Sequence, residues 1–260
     1  MKNAYLLTIK YGAAALLLLA TNTALAQGLP NVQKKPVFLT GVKIDGQALE
    51  TKHKFEAYNK AIDAFYTLAN DDNNLYLTLR VKYGEIIPKV LLGGITLTVN
   101  HSKAKRDTAG LSVTFPFLET EDRGKMSNSF VEAENKKKEL GDKDYPTSEL
   151  NAVLKSVTKT IEVEGLHGLK TARISIYNEE GIRAASMFDG QLLYTYELAI
   201  PLKLLALLNN GSEPFSYRIK VNSPYSNQNL KPSGGPPPPP MEASTTAPTD
   251  FWAEYKLVKK

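Results

Sequence analysis

The chain has 260 residues, 42% hydrophobic, 23% charged and 9% aromatic, a composition that supplies a sizeable core and excludes wholesale disorder. It has no cysteine, which excludes disulfides, thiolate metal sites, iron–sulfur clusters and a cysteine nucleophile. The formal charge is only +5, and without an arginine-rich stripe or a basic motif interleaved with aromatics no nucleic-acid partner is expected.

Residues 1–26 read as an export signal. Lys2 and Lys10 accompany an apolar run from Gly12 to Ala20, and Ala24-Leu25-Ala26 offers a small-residue cleavage site ahead of Gln27. Thr21, Asn22 and Thr23 stop the run short of the roughly 20 apolar residues that a membrane span needs. The expected mature chain, residues 27–260, is a single exported domain, periplasmic or secreted, with no membrane span.

Along that chain the dominant pattern has period two, the mark of strands with one face on a core. Ile62, Ala64, Tyr66 and Leu68 alternate, as do Leu75, Leu77, Leu79, Val81 and Tyr83, and residues 70–74 (Asn-Asp-Asp-Asn-Asn) between them predict a hairpin turn. Tyr76, Thr78, Arg80 and Lys82 then fall on a face expected to be wet. Further runs repeat the alternation: Ile95 to Val99, Leu111 to Phe115, Ile174 and Ile176, Tyr194 to Ile200, and Phe215 to Val221. Asp189-Gly190 joins the Tyr194 strand to one over Ile182 to Phe188. About ten strands at this spacing predict an all-β fold, a two-sheet, mostly antiparallel sandwich of jelly-roll or immunoglobulin-like kind.

Helices are expected to be few and short. Leu150, Val153, Leu154 and Val157 have helical spacing after Pro146-Thr147, with Glu149 placed to complement the dipole. Pro201 opens a second candidate over Leu202 to Leu208. Gly93-Gly94 reads as a bulge or the start of a strand. Residues 118–146 are polar and charge-mixed and read as a solvated loop or short exposed helix. Residues 223–249 contain five consecutive prolines, 236–240, and read as a long surface loop, after which the strand Phe251 to Val258 returns to complete the sandwich.

Three segments in order carry a family resemblance: Ile44-Asp45-Gly46, the stretch from Leu68 to Leu77, and Tyr196-Glu197-Leu198-Ala199-Ile200-Pro201-Leu202. Together they resemble landmark strands of family 9 carbohydrate-binding modules and DOMON-like domains. The resemblance implies a β-sandwich that binds a glycan, or in some relatives haem. The chain departs from the sugar-binding members in having one tryptophan, Trp252, so their aromatic clamp does not carry over.

The candidate ligand residues are Trp252, Tyr76 and Glu254. In the last strand Phe251, Ala253, Tyr255 and Leu257 share one face, and Trp252 lies opposite with Glu254 and Lys256. There the indole either stacks on a sugar ring or is covered by the proline loop or the other sheet. Asp71 and Asp72 are weak calcium candidates, but without an alternating Asp-x-Asp-x-Asp-Gly pattern the run reads as a turn, and Asp45 likewise as a turn former. His53, His101 and His167 show no zinc spacing. For haem the axial candidates are Met126 or Met187 with one of those histidines. No nucleophile elbow or phosphate loop appears, so no enzyme activity is expected. The alternative to a glycan module is a periplasmic or cell-surface interaction protein that kept the fold without a sugar pocket.

Overall fold

A computed structural model of the chain describes residues 28–48, 55–82, 84–100, 111–165, 172–205, 213–225 and 246–259. Two six-stranded sheets face each other. The first is ordered β1 (Val37–Phe38), β3 (Ala64–Asn70), β4 (Asn74–Val81), β10 (Tyr194–Pro201), β9 (Arg183–Phe188), with β2 (Ala57–Asn59) also on β3. The second runs β12 (Thr249–Tyr255), β11 (Phe215–Val221), β5 (Ile95–Asn100), β6 (Leu111–Phe117), β7 (Thr160–Glu164), β8 (Arg173–Ser175). Every pairing is antiparallel except β1 with β3. This is the two-sheet sandwich that the alternation predicts.

The alternating residues do what their period dictates. Tyr66 and Leu68 of β3, Leu77 and Leu79 of β4, and Tyr196 and Leu198 of β10 are fully buried against Leu97, Val113 and Ile219 from the other sheet. The hairpin turn forms where it was expected. Asp71 Oδ1 accepts the backbone N–H groups of Asn73 and Asn74 at 2.7 and 2.6 Å, which turns the chain in place of ladder bonds.

One long side of the sandwich is sealed. Asn70, only 1% exposed, accepts the Tyr255 hydroxyl and the Val258 N–H and donates to the Val258 carbonyl, so the β12 end is tied to β3. The Tyr66 and Tyr217 hydroxyls meet at 3.1 Å between the sheets. On the other long side β9 and β8 are the outer strands.

Three expectations are corrected. Residues 118–146 hold α2 (Thr120–Leu140), a 21-residue helix that follows α1 (Ile86–Gly93). Arg123, Met126, Phe130 and Ala133 recur at steps of three and four and form its buried stripe, and Phe130 stacks on Phe188 at 5.6 Å. Gly93-Gly94 is the strand entry, one of its two readings: the pair closes α1, and Gly94 at φ +76 turns the chain into β5. Tyr76 does not face water: it is 6% exposed, covered by Val37, Leu39, Val42 and Ile44 of the N-terminal segment. The last strand is Thr249–Tyr255 rather than 251–258, because beyond Tyr255 the chain bonds to Asn70 instead of to β11.

The expected helix α3 (Ser148–Val157) is present and buries Leu150, Leu154 and Val157. Of the second expected helix, residues 202–205 form turns and 206–208 lie outside the described residues, as do His53, His101, His167 and the five prolines. Among the described residues no helix is long and apolar enough to cross a membrane.

Candidate functional site

Trp252 and Glu254 sit on β12 at the edge of the second sheet. Trp252 is half-buried with the Arg218 guanidinium 5.9 Å from its ring centre, and Arg218 is ion-paired to Asp250. Its face is therefore occupied by a cation from the neighbouring strand. Glu254 is exposed on the same strand. Tyr76 lies in the other sheet and donates its hydroxyl to Asp71 Oδ2 at 2.5 Å, so the structure does not bring the three candidates together. Burial opposes the charged form of Asp71, but the bonds from Tyr76, Asn73 and Asn74 outweigh it and hold the carboxyl below its ordinary range. Burial, reinforced by the Asp71 carboxylate, pushes the Tyr76 phenol up to about 12. Asp72 is exposed in the same turn. Among the described residues no three histidines or carboxylates gather where a metal ion could be held. Met126 is buried in α2, and Met187 lies on β9.

The concave feature lies elsewhere, along the open side of the sandwich. A cleft of about 750 Å³ runs beside β9, with α3 as one wall and the segment after β8 as another. Tyr177 stands at its rim with 71% exposure, the Lys159 ammonium 5.8 Å from its ring centre. Lys155 from α3, Arg183 from β9 and Asp45 supply charge, while Phe115 and Ile176 supply apolar surface.

The floor of this cleft is the edge of β9, and that edge is treated unevenly. Asn151 of α3 donates to the Phe188 carbonyl at 2.9 Å and accepts the Phe188 N–H at 2.8 Å. Asn178 does the same at the other end, donating to the Ile182 carbonyl at 2.7 Å and accepting the Ile182 N–H at 3.1 Å. A carboxamide carries the same donor and acceptor pair as a peptide group, so each asparagine stands in for one residue of a neighbouring strand.

In an antiparallel strand the direction of backbone bonding alternates residue by residue. Ile182 and Phe188 bond outward, so Ala184 and Ser186, of the same parity, also turn their N–H and C=O groups away from β10. Those four groups line the cleft, and no described residue pairs with them. Beneath them lie the buried hydroxyls of Ser186, Tyr194 and Tyr196, and burial pushes both phenols up, partly offset at Tyr194 by the neighbouring Ser186 hydroxyl.

A second cleft of about 520 Å³ opens between α1 and α2 near Arg123, whose Nη1 is buried and unpartnered, but it offers no strand edge. The β9 cleft was missed in the sequence because its wall and clamps come from Asn151, Asn178 and Tyr177, which stand in no recognisable motif. Only Asn178, four residues before Ile182, lies beside the run it clamps.

No family model matches the chain, and no curated protein or solved structure matches it.

Proposed function

We propose that the chain is an exported, non-catalytic binding domain and that its ligand, a glycan or another polar molecule of that size, occupies the cleft beside β9. The observation that carries this reading is the meeting, in one concave site, of an exposed ring at Tyr177, the cations Lys155 and Arg183, and unpaired backbone groups of a sheet edge. Ligand sites combine such apolar surface with a few fixed polar groups. The resemblance of three segments to family 9 carbohydrate-binding and DOMON-like domains points to binding rather than chemistry. The lining supports that too: among the described residues it holds one carboxylate, Asp45, whereas glycoside hydrolysis uses two.

The test is calorimetric titration of the purified chain with a panel of soluble neutral and acidic oligosaccharides, beside a Tyr177→Ala variant. Saturable heat that the variant loses supports the cleft. Binding that survives in Tyr177→Ala and disappears in Trp252→Ala would move the site to β12 and overturn the assignment.

A further inference from the structure

We infer that the open stretch of β9 is a strand-pairing site whose occupant is a short extended peptide carrying an acidic side chain. This deepens the proposed function and rests on the cleft being the ligand site.

The argument starts from what an exposed strand edge costs. Unpaired N–H and C=O groups are a template for further pairing, and proteins cover them. Here the two ends of the edge are covered by Asn178 and Asn151, each using both halves of its amide, while no described residue pairs with Ala184 and Ser186 between them. The gap offers two donors and two acceptors in strand order, with successive outward residues about 7 Å apart. A peptide of about five residues satisfies all four with its own backbone. A sugar ring has no matching alternation of amide donors and carbonyl acceptors.

The walls select a single chain. α3 stands on one side and Ile176 and Tyr177 on the other, so the edge lies in a cleft rather than on a flat flank where a second sheet could dock. Side chains of the incoming strand alternate between two directions. The apolar lining at Phe115 and Ile176 calls for apolar residues at one set of positions. Lys155 and Arg183, against the one acid Asp45 of the described lining, favour a carboxylate at the other.

The experiment uses a fluorescein-labelled hexapeptide of alternating valine and glutamate, capped at both ends, titrated with the purified chain by anisotropy. Two further versions carry N-methyl groups on the valines only or on the glutamates only. One-edge pairing uses every second amide, so one version is expected to lose at least about tenfold in affinity while the other binds like the parent. Ser186→Pro removes an N–H that the sheet does not use. It is expected to abolish binding with little change in thermal unfolding, since proline is tolerated where an edge N–H faces outward.

Equal affinity of all three peptides would overturn the inference. So would an absence of peptide binding combined with oligosaccharide binding that Tyr177→Ala removes, which leaves the cleft as the ligand site. Binding of neither probe would overturn both readings.

Discussion

The carboxylate of Glu197 accepts the backbone N–H of Gly46 at 2.7 Å, and the same oxygen takes the N–H of Asp45 at 3.0 Å. Glu197 is 2% exposed on the outer face of β10, so the segment at Asp45-Gly46 is held against the sheet by an acid that water scarcely reaches. Hydrogen bonds to a charged group are worth about 1.5–3 kcal/mol, and removing the acceptor leaves two donors in its place. Glu197→Ala is expected to lower stability by about 3 kcal/mol, read as a shift of the urea midpoint without change in slope. An unchanged midpoint would show that the contact contributes nothing.

Gly46 also lies where only glycine fits. A Cβ there would stand 2.8 Å from the Ser186 backbone carbon and 3.0 Å from the Met187 nitrogen, and φ is +87. Gly46→Ala therefore meets steric contact and left-handed strain together, the latter alone costing about 1–2 kcal/mol. Because the contact falls on β9, the substitution is expected to weaken ligand binding in the cleft as well as lower the melting temperature. Wild-type binding in a destabilised Gly46→Ala chain would separate the two effects and refute the coupling.

Buried phenols set an alkaline limit. Burial pushes Tyr76 and Tyr255 up to about 12, and Tyr66, Tyr194, Tyr196 and Tyr217 upward too. A raised pKa means that folding holds the proton, so this stability is complete below pH 10, the ordinary tyrosine value, and falls as pH climbs through 12. Ionisation of these six buried phenols, read as tyrosinate absorbance, is expected to rise together with loss of far-ultraviolet circular dichroism above pH 10. Asp71 has the opposite sign: its lowered pKa contributes stability above its ordinary value of 3.8 that fades as pH falls below it. Asp71→Asn should flatten the acid limb of the stability profile and leave the alkaline limb less steep through Tyr76.

The sandwich was legible because one face of most strands is dry, so alternation survives in Leu75 to Val81 and Phe215 to Val221. The three segments that carry the family resemblance also meet in space: β3, β4 and β10 are neighbours, and Glu197 grips Asp45-Gly46. Tyr76 was misread because alternation tells which residues face the opposite sheet, not what covers the outer face. That cover is Val37 to Ile44, a segment too irregular for any period. The site was hardly legible at all. Its defining groups are backbone amides, which every residue carries, and their exposure depends on Asn151, which reaches Phe188 from 37 residues away, and on a local turn in which Asn178 caps Ile182.

Helix α2 shows how few residues can anchor a polar segment. Along its 21 residues only four are buried, and Phe130 among them stacks on Phe188 next to the Asn151 clamp. Phe130→Ala is expected to cost about 3–5 kcal/mol, as for other large aromatic truncations in a core. Scanning calorimetry would show it as a lowered melting temperature. A loss well under 1 kcal/mol would mean that α2 packs on the sandwich without supporting it.

Two aromatics, Trp252 and Tyr177, compete for the role of ligand platform, and their positions predict opposite outcomes. Trp252 lies on β12, at one end of its sheet, with Arg218 over its ring. Tyr177 lies past β8, at the other end, beside the β9 cleft. A half-buried ring that packs on a neighbouring strand's guanidinium contributes to folding, about 0.5–2 kcal/mol for the cation–π contact. Trp252→Ala should therefore lower stability and leave cleft affinity unchanged. Tyr177, mostly exposed, has little packing to lose, so Tyr177→Ala should leave the melting temperature within a degree or two, roughly the range of a surface substitution, while affinity falls. Because Trp252 is the only tryptophan, its fluorescence adds a third readout. Ligand in the cleft should leave the emission unshifted, and a ligand-dependent shift would place the binding surface on β12 instead.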